Sequence, residues 1–181
     1  IFLAVFGYFF LKEKINLITF ISIILGMSGV LIILGNSLSI QTSEQFLGNI
    51  VAFIMPISFA VLVIIIRKYP KVDMVPAQFT AGIFAAIIGF LIAGQLSISI
   101  HDLFLALLAG FFQIGFGFIL ITVGSQTTPA AIVGVLMLTE SVFGPLWAWL
   151  FIKEVPPTAV LIGGAIIVFS ILFQSFFSKK D

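Results

Sequence analysis

The sequence predicts an all-α integral membrane protein, and three observations predict it. Of its 181 residues, 61% are hydrophobic and only 8% are charged, against about 45–50% and about 25% in a soluble domain. The apolar residues gather into six runs, at about 15–35, 47–66, 75–94, 103–123, 130–152 and 157–177. The charges and turn formers gather between them. Such a chain cannot cover a water-facing surface with polar groups, which excludes a soluble enzyme and a nucleic-acid binder.

Each run has roughly 20 residues, which at about 1.5 Å per residue spans the roughly 30 Å of a bilayer's hydrocarbon core. Backbone groups cannot stay unpaired in lipid, and the alternation of a membrane β-strand is absent, so the runs are helices. The segment Ile1 to Leu11 is apolar but reaches only about 16 Å as a helix. It has neither a starting Met nor a basic n-region and does not read as a signal peptide. It is expected to be part of a transmembrane helix, with a re-entrant segment as the alternative. Lys12-Glu13-Lys14 then leads into 15–35, where Ser22, Gly26 and Gly29 form a stripe of small residues suited to close helix packing. Asn36 to Gln45 connects to 47–66, which contains Pro56. Arg67 to Asp73 connects to 75–94, with a second small-residue stripe at Gly82, Ala86, Gly89 and Ala93. His101-Asp102, read as a solvated pair at a helix mouth, precedes 103–123. Lys153 to Pro157 separates 130–152 from 157–177, and Lys179-Lys180-Asp181 ends the chain.

Several chemistries are excluded. There is no cysteine, hence no disulfide, Cys-based zinc site, iron–sulfur cluster or catalytic thiolate. One histidine, His101, is too few for a centre built on imidazole, so no metal or cofactor is expected. Gly115 and Gly117 spell GxG inside an apolar run with no strand before it, and no GxxxxGK[ST] occurs, so nucleotide binding by those routes is excluded. The net charge of +1 implies no polyanion partner.

Residues 1–34 can be laid on 142–175 at an offset of 141. Phe2, Phe10, Lys12, Glu13 and Ile21 then meet identical residues at Phe143, Phe151, Lys153, Glu154 and Ile162. Small residues also correspond: Gly7 with Ala148, Ser22 with Gly163, Gly29 with Ser170. Five spans separate the two Lys-Glu pairs, an odd number, so the pairs lie on opposite sides of the membrane, as in an inverted-topology repeat. The positive-inside rule agrees: Lys12, Lys14, Arg67, Lys68, Lys71, Lys179 and Lys180 fall on one side, and only Lys153 on the other. That side is the cytoplasm, which places the C-terminus there. With five helices per repeat, 46–178 is a complete second repeat. Residues 1–40 are then the end of a first repeat (half of its fourth helix and its fifth), and roughly a hundred preceding residues are expected.

The residues at this point resemble a known family. Pro129-Ala130-Ala131, the stretch Leu138-Thr139-Glu140-Ser141-Val142-Phe143-Gly144-Pro145-Leu146-Trp147, and Leu150 to Glu154 are similar to the ninth helix of EamA-type transporters of the drug/metabolite transporter superfamily. Leu161-Ile162-Gly163-Gly164-Ala165-Ile166-Ile167 resembles that family's tenth helix, and Ala109-Gly110-Phe111-Phe112-Gln113 with Gly117 its eighth. Phe10 to Val30 resembles the end of the first repeat. The chain departs from the family at Ser141, where many relatives carry proline; here the proline is Pro145. The resemblance implies ten helices in two inverted five-helix repeats, passing small metabolites, amino acids or drugs through a central cavity.

Fourteen of the fifteen charged residues lie in connections or at the chain end. The exception is Glu140, at the midpoint of 130–152. A carboxylate at bilayer depth costs about 2.5–3.5 kcal/mol on insertion scales, so it is expected to face the bundle interior or a wet cavity. Two readings stand: a coupling or substrate-binding group, or a hydrogen-bonded glutamate that locks helices together. Gln113, at the midpoint of 103–123 with Ala106, Ala109, Gly110 and Gly117 around it, is either a substrate-binding amide or an interhelical hydrogen-bonding group. Trp147, two turns from Glu140 on roughly the same face, is either a cavity wall or an interfacial anchor. Pro56 and Pro145 are hinge candidates or packed kinks.

The expectation is therefore six full transmembrane helices plus one partial, from a ten-helix inverted-repeat bundle, acting as a secondary permease in a bacterial inner (plasma) membrane. Its partners would be a small-molecule substrate and the lipid bilayer. None of the eight basic residues lies mid-membrane, which disfavours anionic substrates. The alternative is a non-transporting fragment or assembly partner that functions only as a homodimer or with the missing N-terminal half.

Overall fold

The computed structural model describes residues 1–35, 48, 51–94 and 97–177. The connection Asn36 to Gln45, the start of the 47–66 run, and Lys179-Lys180-Asp181 lie outside the described residues.

The described chain is helical. The order is α1 (Phe2–Leu11), α2 (Leu17–Gly35), α3 (Ile54–Lys68), α4 (Val75–Ile92), α5 (Ile100–Leu108), a π-helix (Ala109–Phe116), α6 (Gly117–Thr127), α7 (Ala130–Met137), α8 (Thr139–Trp147), a second π-helix (Ala148–Ile152) and α9 (Thr158–Phe177). Among the described residues five segments are long and apolar enough to cross a membrane: Leu17–Gly35, Val75–Ile92, Ile100–Thr127, Ala130–Phe151 and Thr158–Phe177. The expected span 47–66 is described only in part, as the 15 residues of α3 preceded by a turn at Phe53. Residues 1–11 form a helix of 10 residues, as their apolar run predicts.

The chain divides into two compact units, 1–64 with 129–181, and 65–128. The core of the first is apolar: Leu3, Ala60, Val63, Ile64, Ala130 and Val133 are buried together, with Phe2, Phe6, Leu11, Phe59 and Met137 against them. α1 runs antiparallel to α7, Gly7 opposite Ala130 and Leu3 opposite Gly134. This is a close approach that only small residues permit. The Glu13 carboxylate accepts the Ala130 N–H at 2.8 Å, satisfying one of the four free donors at the start of α7 and placing negative charge at the positive end of its dipole.

α2 and α9 also cross antiparallel and hold the polar part of this unit. Ser170 Oγ donates to the Ser22 carbonyl at 2.6 Å, and Gln174 Nε2 to Thr19 Oγ1 at 3.1 Å. Gly29 lies against the Gly163 carbonyl so closely that a Cβ there would stand 2.6 Å from the oxygen. Under the offset of 141 the pair Ser22–Ser170 becomes Gly163–Gly29, so the crossing is self-complementary. The same offset relates the helix starts at Leu17 and Thr158. It also relates Lys12 (φ 56°) and Lys153 (φ 64°), the two non-glycine residues with positive φ among those described. Each lysine turns the chain out of a helix by the left-handed conformation that a C-terminal cap needs.

In the second unit α4 and α6 meet through Gln78 Nε2, which donates to Thr122 Oγ1. The Arg67 guanidinium donates to the Gln126 carbonyl at 2.9 Å. Ser99 and Asp102 cap α5 reciprocally, the Asp102 N–H reaching Ser99 Oγ at 3.0 Å and that hydroxyl donating to the Asp102 carboxylate at 2.8 Å. Of the two small-residue stripes, Ser22, Gly26 and Gly29 are buried against α9. Gly82, Ala86, Gly89 and Ala93 are exposed, and among the described residues nothing beyond the neighbouring turns of their own helix lies within 4 Å of a Cβ built at Gly82 or Gly89. A small side chain permits close packing but does not supply the neighbour.

Candidate functional site

The 130–151 span is one run in the sequence but two helices in the structure. Around Leu138 (φ −63°, ψ −17°) the backbone tightens. Leu138 N–H bonds the Val135 carbonyl and Ser141 N–H bonds the Leu138 carbonyl, both at 3.1 Å and both three residues back. Thr139 Oγ1 bonds back to the Leu136 carbonyl at 2.7 Å, the kind of local side-chain bond that competes with a helical ladder. Glu140 therefore sits in the first turn of α8, where the helix dipole favours a negative charge. Its side chain is exposed.

Pro145 lies inside α8 and removes the N–H that would bond the Ser141 carbonyl. Three residues on, the backbone widens into the π-helix Ala148–Ile152. Trp147, half-exposed at 51%, stands between these irregularities, its ring 5.6 Å from that of Phe151. Glu140, Phe143 and Trp147 thus share one helix and one exposed side of it. Pro56 occupies the first turn of α3, three residues after the turn at Phe53. A proline there costs α3 no internal bond.

Gln113 belongs to the second unit and is exposed at the middle of the π-helix Ala109–Phe116. A π turn shifts every following side chain round the axis and is found frequently at functional sites. No residue type encodes one, so the sequence marked Gln113 by its polarity alone. The same signal, a polar residue inside an apolar run, would have found Gln78 and Thr122, whereas Ser125 lies just past the 103–123 run. Thr122 and Ser125 are buried, and the Gln78 carbonyl oxygen is buried without a partner among the described residues. Glu13 gave no such signal, because its role is a contact between residues 117 apart. No group of three His, Cys, Asp or Glu suited to a metal occurs among the described residues.

Long apolar helices, one mid-span carboxylate and a broken helix beside it define an integral membrane protein of the helical class. Residues 45–176 match the EamA-like transporter family, and the chain belongs to that family. Two curated relatives are each named only as an uncharacterized transporter. One, from Methanothermobacter thermautotrophicus, is 27% identical over 161 residues, covering 85% of this chain and 47% of the relative. The other, from Clostridium kluyveri, is 25% identical over 190 residues, covering 99% of this chain and 61% of the relative. The chain thus spans about half to three-fifths of these relatives' length. No solved structure matches it. The family and these names support a transporter role.

Proposed function

We propose that the chain is the end of a first repeat, 1–40, and a complete second repeat, 46–178, of a ten-helix secondary transporter in a bacterial inner membrane, its C-terminus cytoplasmic. It would move a small metabolite, amino acid or drug by alternating access, coupled to protons or to exchange of a second solute. The observation that carries this reading is Glu140. It is the one charged residue at the middle of an apolar span, and it sits at the start of a half-helix, the arrangement by which broken membrane helices present groups to a solute. Its exposure leaves it free to meet a solute or a helix of the other repeat, either of which offsets the cost of a carboxylate at that depth. Gln113 and Trp147 are the accompanying contacts, and Pro145 is the position at which α8 bends. Pro56 supports a hinge less well, since it lies in a first turn.

The test is transport by vesicles carrying the full-length gene product, wild type against Glu140→Gln, across a pH series. Loss of accumulation in the variant, with loss of the wild type's pH dependence, supports the coupling role. Unchanged rates with an unchanged pH profile remove it.

A further inference from the structure

We propose that the face of α8 and its π extension formed by Ser141, Gly144, Pro145 and Ala148, together with Glu154, is the docking face of a helix that runs on from α1 beyond Ile1. This rests on the repeat reading above and deepens it.

The template is the α1–α7 contact. There Glu13 accepts the first N–H of α7, Gly7 lies against Ala130, and Leu3 lies against Gly134. At the offset of 141, Glu13 becomes Glu154, Gly7 becomes Ala148, Leu3 becomes Gly144 and Ala4 becomes Pro145. The second set keeps the glutamate and sets small residues or proline at the other positions, without the partner helix that the first set has. Gly144 and Glu154 are exposed, Pro145 and Ala148 half-buried, and among the described residues nothing beyond the neighbouring turns of its own helix stands within 4 Å of a Cβ built at Gly144. No hydrogen bond or ion pair reaches Glu154 among the described residues.

Direct extension gives the same answer. α1 is antiparallel to α7, so continuing it backward by about eleven residues, or about 16 Å, carries it past Ser141, Gly144 and Ala148 to the level of Glu154. Both constructions set the residue about eight positions before Ile1, the counterpart of Gly134, beside Gly144. Glu154 then caps the incoming helix as Glu13 caps α7. The docked helix covers Ser141, Gly144 and Ala148 and leaves Glu140, Phe143 and Trp147, about a third of a turn away round α8, open to a solute.

Disulfide cross-linking in the full-length gene product tests this without reading transport, so its failure is distinct from failure of the transporter reading. The chain has no cysteine of its own, and any upstream cysteine is replaced by serine. The control pair is Leu3→Cys with Gly134→Cys, where the Cβ positions lie 3.4 Å apart, close to the span of a disulfide. The test pair is Gly144→Cys with a cysteine about eight residues upstream of Ile1. We expect the test pair to link within one chain to an extent within about twofold of the control. A control that links while the test pair does not overturns the proposal. So does a Gly144→Cys that links only between copies, a gene with no helix upstream of Ile1, or a control that fails, since that removes the contact from which the proposal is copied.

Discussion

Gly29→Ala is the most informative single substitution in the first unit. A Cβ at this position would stand 2.6 Å from the Gly163 carbonyl oxygen and 2.8 Å from Ile167 Cγ1. To restore ordinary contact α2 and α9 must part by roughly 0.8 Å, and a gap of that size forfeits a quarter to a half of the attraction between the atoms it separates. Overpacking of this kind costs about 1–3 kcal/mol. Weakening the Ser170–Ser22 hydrogen bond adds about 0.6 kcal/mol, and alanine's better helix propensity returns up to about 1 kcal/mol. The net loss is about 2 kcal/mol, or about 4–8 °C in Tm for a chain of this size. Thermal unfolding in detergent, followed by the fluorescence of Trp147 and Trp149, measures it. Gly89→Ala is the control, because among the described residues no other element lies within 4 Å of a Cβ built there, and it is expected to leave Tm unchanged or slightly raised. If Gly29→Ala unfolds no earlier than wild type, or no earlier than Gly89→Ala, the α2–α9 crossing described above is wrong.

Two further stability measurements bear on the segment between α1 and α2. Glu13→Ala leaves the first N–H of α7 without its carboxylate and is expected to cost about 1.5–3 kcal/mol; denaturant or thermal unfolding equal to wild type would show that the cap contributes nothing. Lys12 holds a left-handed conformation at φ 56° that glycine adopts without a steric penalty. Lys12→Gly is therefore expected to raise stability by about 0.5–1 kcal/mol, and a lower Tm would contradict the strained cap.

Helix positions were legible because the bilayer sets their length. Leu17–Gly35, Val75–Ile92, Ala130–Phe151 and Thr158–Phe177 lie within two residues of the limits read from the apolar runs. The span expected at 103–123 runs further, over Ile100–Thr127, because His101, Asp102, Ser125 and Gln126 are polar yet helical, with Asp102 absorbed into an N-terminal cap. The sequence pairs Lys12-Glu13 with Lys153-Glu154 at the offset of 141 but does not say what these residues do. The lysine makes the left-handed turn, and the glutamate of the first pair caps a helix far along the chain. The break at Leu138 and the two π-helices were not legible, since leucine, alanine and phenylalanine serve equally in a regular α-helix. The Gly82 stripe looked like the Gly29 stripe because composition records who can approach closely and not who does.

The proposal that this chain forms part of a small-solute transporter is tested most directly by flux. The full-length gene product in proteoliposomes is offered a panel of amino acids and cationic drugs, with protein-free vesicles as reference. At least one of these solutes is expected to cross faster with the protein than without it, and Glu140→Gln is expected to slow that solute. A correctly folded protein that moves no member of the panel faster than bare lipid contradicts it.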